Sequence, residues 1–220
     1  MVQSSDGANT PAFDDGTPEH DPNEHSAHLS VDSPGKPDLL APDPDLATEV
    51  RPLIDLAATD YRDGLATATK ASRAIRYRRE ATGWVLTQIG TADEPPPTAQ
   101  DLARIVALLR DRTIRDVMFS LAATLWHRDA EALWRQIASV TAGSDRAQAA
   151  TLFGYSAYLR DDTAVAASAL TTALRADPNY AMAKLLAIAL SDCHRLDRIR
   201  SISTAAAEIA ADLGIDTTTS

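Results

Sequence analysis

The stretch Ala147–Leu186, AQAATLFGYSAYLRDDTAVAASALTTALRADPNYAMAKLL, decides the fold. It reads as two antiparallel helices and the start of a third. Two helices approach closely only where small residues sit at the crossing of their axes, and Gly154 and Ala166 supply that gap. Leu152, Phe153 and Ala157 fill one side of the seam, and Leu170, Ala173 and Leu174 fill the other. Arg160-Asp161-Asp162 makes the turn, after which Thr163 is placed to cap the second helix. Asp177-Pro178-Asn179 stops that helix, because the residue before proline avoids the α region and proline has no N–H to donate.

Counted with Ala147 as the first place of a period of about 34 residues, Gly154, Ala166, Ala173 and Pro178 fall on small-residue and proline places. In this the stretch resembles a tetratricopeptide repeat. The same count carried back starts a degenerate unit at Thr113, with Ser120 and Ala132 at its small places and Leu133, Trp134 and Ile137 on its second helix. No strand-like run appears. The expected fold is therefore all-α, with antiparallel helical hairpins stacked as a short tetratricopeptide-like array behind a disordered acidic arm.

That arm is residues 1–46, which hold ten acidic side chains against the single Lys36, and seven of the twelve prolines. The remainder holds 21 acidic and 20 basic residues, so the net charge of −10 belongs almost wholly to the arm. A segment of this kind buries too little apolar area to offset its ordering entropy. His20, His25 and His28 lie close enough in it to share a metal. Ordering a solvated peptide around an ion is costly, however, so they read as a polar arm and no metal or cofactor is expected.

Residues 47–94 read as a helical segment. Val50, Leu53, Ile54 and Ala57 recur at helical spacing, with Pro52 fitting a first turn or a kink. A longer helix is expected from Tyr61 to Ile89, with Gly64 and Gly83 as its weak points. Thr91–Pro97 is a linker. Thr98 and Asp101 form a capping box opening the domain 95–214, in which Leu102, Ile105, Val106 and Leu109 make the first apolar stripe. A last amphipathic helix ends at Gly214, and residues 215–220 should fray.

Taken in order, Ile114-Arg115-Asp116, Leu133-Trp134, Tyr158-Leu159-Arg160-Asp161-Asp162, Asp177-Pro178-Asn179-Tyr180 and Ala183-Lys184-Leu185-Leu186 make a series. It resembles the C-terminal part of the actinobacterial domain of unknown function 4192 family, over about Leu102 to Leu190. Members normally carry an α/β segment ahead of this part, where this chain has its arm and early helices. The family has no established activity, so the resemblance implies an architecture and a bacterial cytoplasm and transfers no chemistry.

Catalytic constellations are missing from the sequence. It has no glycine-rich phosphate loop, no paired Cys-x-x-Cys and no His-Glu-x-x-His. Cys193 and His194 are adjacent and diverge on a helix, so the imidazole is badly placed to activate the thiol. His127 lacks a neighbouring partner group, and Asp161-Asp162 is explained by the turn. The lone cysteine fits a reducing compartment. No basic, then apolar leader opens the chain, and no apolar run approaches the ~18 residues of a membrane span. The expectation is a non-enzymatic cytoplasmic protein with no membrane partner.

Two readings of function follow. In the first, a protein or peptide partner is held on the first helix of the hairpin, by Gln148, Thr151, Tyr155, Tyr158 and Leu159, with the two tyrosines as anchors. In the second, the chain is a nucleic-acid-associated regulator using Arg73, Arg76, Arg78 and Arg79 around Tyr77. Nearby Asp63 and Glu80 and the absence of net positive charge in the body weigh against this alternative.

Overall fold

The computed structural model describes residues 38–89, 96–191 and 196–217. The expectations for the arm over 1–37, for the three histidines in it, for most of the 91–97 linker, for Cys193–His194 and for 218–220 lie outside those residues. Nine α-helices and no strand are found among the described residues: α1 (Pro44–Thr67), α2 (Ala71–Ile89), α3 (Ala99–Leu109), α4 (Arg112–Met118), α5 (His127–Val140), α6 (Gly143–Leu159), α7 (Thr163–Ala176), α8 (Ala181–Ser191) and α9 (Leu196–Asp212). A 3-10 turn, Phe119–Ala123, follows α4.

The all-helical class holds, and the folded body begins earlier than the arm boundary at residue 46 anticipated. Leu40 is 2% exposed. Its carbonyl accepts from Arg146 Nη2 at 2.8 Å, and Asp43 N donates to the Ser139 carbonyl at 2.9 Å. Asp43 also caps α1 by accepting from Leu46 N, with Pro44 at the first helical position. The helix runs through Pro52 without stopping. Pro52 faces solvent, and its missing N–H leaves the Thr48 carbonyl without its helical donor.

The long helix expected from Tyr61 to Ile89 is two helices, broken at Ala68–Lys70 rather than at a glycine. Gly64 instead serves packing. A Cβ there would fall inside the van der Waals envelope of the Tyr77 phenol. Glycine thus lets α2 fold back until Tyr77 stacks on Tyr61, with ring centroids 5.4 Å apart and planes 22° apart.

The Thr98–Asp101 capping box is present in both directions: Asp101 N donates to Thr98 Oγ1 at 3.2 Å and Thr98 N donates to Asp101 Oδ2 at 3.0 Å. From it α3 runs inward with Leu102, Ala103 and Ile105–Leu109 all buried. The pair α6–α7 is the hairpin read from the sequence. A Cβ on Gly154 would stand 3.2 Å from Ala169 Cβ and 3.4 Å from the Ala166 carbonyl, so the small residues do meet at the crossing. Asp162, not Thr163, caps α7, accepting from Val165 N at 3.1 Å. Asp161 takes the turn at φ 63°.

The unit counted back to Thr113 is not a second regular hairpin. Its first helix stops after Met118 and tightens into the 3-10 turn, and Ala132 faces solvent while Ala130 and Ala138 are the buried small residues of α5. Nor do 47–94 and 95–214 separate. One apolar core runs from Leu40 and Val50 through Leu102 and Trp134 to Ala210 and Leu213. The chain end is tied down as far as Thr217. Gly214, at φ 72°, closes α9 with Ile215 N donating to the Ala210 carbonyl at 2.9 Å, and Thr217 is buried rather than frayed.

Candidate docking groove

The residues expected to line a binding wall on α6 are in the core instead. Tyr155 is 1% exposed, lies edge-on to Phe119 at 5.3 Å, and shares a 2.6 Å hydrogen bond with Ser203 Oγ on α9. Its oxygen also accepts from Ser203 N at 2.9 Å. Burial pushes this phenol's pKa above its ordinary 10.0, against the lowering effect of Ser203. Tyr158 is buried too. Gln148 donates to the Leu109 carbonyl at 2.9 Å, Thr151 to the Ala147 carbonyl at 2.6 Å, and Leu159 is half-buried against the core. The physical reason is coverage. α5, α7, α8 and the 3-10 turn pack on α6, and α9, returning across α4 and that turn, reaches Tyr155 through Ser203. A helix buried all round offers no face to a partner.

The arginines of α2 do not form a cationic strip. Arg78 Nε donates to Asp111 Oδ2 at 2.8 Å, beside the Tyr61 hydroxyl that donates to the same oxygen at 2.9 Å. Burial, then the bond and charge of Asp111, push the Tyr61 phenol's pKa far up. Arg79 Nε donates to the Leu213 carbonyl, which closes the C-terminal turn onto α2. Arg76 faces Glu80 at 3.8 Å, both exposed, and Arg73 is exposed. Two of the four guanidiniums therefore serve the fold. His127 Nδ1 lies 3.0 Å from the Thr124 carbonyl, a local turn contact. No three His, Cys, Asp or Glu side chains among the described residues are gathered as metal ligands.

An open feature lies where α1, α2 and α3 meet around a groove of about 510 Å³. Leu53, Leu56 and Ala57 come from α1, Tyr77 and Ala81 from α2, and Ala103 and Leu108 from α3. Alanines on three helices face a common space that they are too short to fill. The Tyr61–Tyr77 stack lines its apolar surface. Leu56 stands at its lip, 61% exposed, where an isolated leucine side chain has no packing partner on one side. Asp60 and Glu80 edge the groove, together with Arg104, whose guanidinium lies 4.0 Å over the Trp84 ring. The sequence carried the signal for these residues, since Leu53 and Ala57 were placed on one helical stripe. What it concealed was that the stripe is only partly covered. A larger recess of about 830 Å³ lies between residues 38–43, the end of α2 and α5, with Asp38, Asp43, Asp129 and Arg135 in its lining.

The fold is an all-helical domain with an open groove between three of its helices. The family model described as Domain of unknown function (DUF4192) matches residues 30–195, and the chain belongs to that family. The match reaches well N-terminal of the expected Leu102, so α1, α2 and α3, and with them the whole groove, lie inside it. No curated protein and no solved structure matches the chain.

Proposed function

We propose that this chain is a non-enzymatic protein-interaction module that holds an amphipathic, basic helical segment of a partner in the α1–α2–α3 groove. The observation that carries this reading is the groove itself, walled by three helices and lined by aliphatic and aromatic side chains together with Asp60, Glu80, Gln100 and Arg104, with Leu56 left standing in solvent at its lip. A partner's leucine seated against Leu53, Leu56 and Tyr77 would gain on the order of 1.5–3 kcal/mol from burial. Asp60 at the edge selects a neighbouring lysine or arginine on the same segment. Arg104 is held over the Trp84 ring, and Glu80 faces Arg76 at 3.8 Å, so the selection rests chiefly on Asp60. In this reading the module works in the cytoplasm of a bacterium, and α6–α7 is a single tetratricopeptide-like unit used for structure rather than for binding. Among the described residues no helix is long and apolar enough to cross a membrane.

The test is a fluorescence titration of the full chain into a labelled helical peptide built from leucine and lysine at amphipathic spacing. Saturable binding is expected, weakened about tenfold or more by Leu56→Glu. Binding that ignores Leu56→Glu overturns the groove. Tight association with DNA that falls steeply with salt and is lost in Arg73→Ala/Arg76→Ala would instead favour the nucleic-acid reading.

A further inference from the structure

Ser203 is the joint between α9 and the rest of the fold. Its Oγ donates to the Phe119 carbonyl at 3.3 Å and so accepts from the Tyr155 hydroxyl at 2.6 Å, while its N–H donates to the Tyr155 oxygen at 2.9 Å. With Ala206, Ala210 and Leu213 it makes up the buried stripe of α9, at helical spacing. Three of those four side chains are small, and Ile202 and Ile209 beside them are only partly buried. The seam therefore joins α9 to the 3-10 turn and α4 through little apolar area, and the polar contacts of Ser203 set its register. The family match ends at residue 195 and α9 begins at Leu196, so this helix is not among the elements that the family model matches.

The run Arg198-Ile199-Arg200-Ser201-Ile202-Ser203 puts arginines five and three places ahead of that serine. Kinases that select basic substrates carry acidic pockets for guanidiniums at those two places of an extended segment. In the docked helix Arg200 is exposed while Ser203 is 8% exposed, so the recognition element faces solvent and the acceptor is shut away. We infer that Ser203 is a phosphorylation site and that its modification releases α9. The kinase captures α9 when it opens, which makes the open state the one that is modified. Ser203 Oγ attacks the terminal phosphorus of a nucleoside triphosphate held by the kinase. The bond to the nucleoside diphosphate breaks, the diphosphate leaves, and the hydroxyl proton passes to the kinase's base.

The modified side chain cannot return to its seat. It has lost the hydrogen that met the Phe119 carbonyl, and it carries about two negative charges. The groups waiting for it are a carbonyl oxygen and a phenol, neither of them a cation. Burying such a group unpaired costs more than a seam of small side chains returns. α9 is held off, and the edge-on pair Phe119–Tyr155 beneath it opens to solvent. This switch is independent of the α1–α2–α3 groove.

The test treats the full chain with an arginine-directed serine/threonine kinase and Mg-ATP, maps the phosphate by mass spectrometry, and follows amide hydrogen exchange helix by helix. Phosphate is expected on Ser203, incorporated about tenfold or more slowly in Arg200→Ala. Exchange in α9 should then rise about tenfold or more while α6 and α7 stay protected. Ser203→Ala should take no phosphate at this position and show no rise after the same treatment. Arg200→Ala lies at an exposed position and carries the comparison should Ser203→Ala fail to fold. A chain that takes no phosphate on Ser203, with Ser201 or Thr204 modified instead or none of the three, overturns the inference. So does a phosphorylated Ser203 with α9 as protected as before. Loss of protection in α6 and α7 together with α9 also overturns it, because the phosphate would then unfold the body rather than free one helix.

Discussion

The α6–α7 hairpin and the α1–α2–α3 face are built from similar aliphatic and aromatic residues and have opposite fates. On α6 every side chain from Ala147 to Tyr158 is buried, because helices pack on it from all directions. On α1 the buried positions, Ala47, Val50, Ile54, Ala58 and Tyr61, form one stripe, and Leu53, Leu56 and Ala57 beside it are covered only in part. Both regions carry paired tyrosines. Tyr155 is pinned by Phe119 and Ser203, whereas Tyr61 and Tyr77 stack on each other and line an open space. The difference teaches that aromatic anchors at helical spacing mark a binding face only where the number of neighbouring helices leaves one side open.

The comparison breaks most visibly at Tyr155. Tyr155→Ala removes a buried ring and its hydrogen bonds with Ser203, and should destabilise the fold by about 3–5 kcal/mol. Chemical denaturation of the variant checks this, and an unchanged midpoint would return Tyr155 to the surface. Next comes Gly154→Leu. Its added atoms must enter the space held by Ala169, Ala166 and Leu170, which predicts a loss of about 1–3 kcal/mol, read from the same denaturation curves.

How far this was legible in the sequence depends on what each feature requires. Gly154, Ala166 and Pro178 announced the α6–α7 hairpin because steric exclusion acts locally and leaves few alternatives. The Thr98–Asp101 capping box was readable for the same reason. Burial of Tyr155 was not, since it depends on Ser203, 48 residues onward, arriving by the path of α9. The groove was equally hidden, because Ala57, Ala81 and Ala103 look like ordinary helix formers until three helices bring them to one space. The break at Ala68–Lys70 carried no proline or glycine, and arises where the Tyr61–Tyr77 stack draws α2 back across α1.

Alkali sharpens the same contrast. Phenols at Tyr61 and Tyr155 have pKa values raised by burial above the ordinary 10.0 of an unfolded tyrosine. The folded state therefore holds these protons more tightly than the unfolded chain does. Their contribution to stability is intact below pH 10 and falls as pH rises past the unfolded value towards the folded one. A thermal-melting series should show the midpoint dropping above about pH 10. Tyr155→Phe and Tyr61→Phe should each make that drop shallower, and a series with the same alkaline slope in both variants would contradict the buried placement of the two rings.

The smallest effect on stability is expected at the groove's lip. Leu56 is 61% exposed and lies on the outer side of α1, so Leu56→Ala removes little that is packed and replaces one good helix former by another. Its denaturation midpoint should sit within about 0.5 kcal/mol of the parent. Binding should behave differently, because the partner's side chain loses the surface that would have closed over it. Leu56→Ala should therefore reduce peptide affinity several-fold without touching the melt, the reverse of what Tyr155→Ala does. A destabilisation at Leu56 comparable to that at Gly154 would mean that the lip is packed in solution, and the groove would then have to be closed by the chain itself.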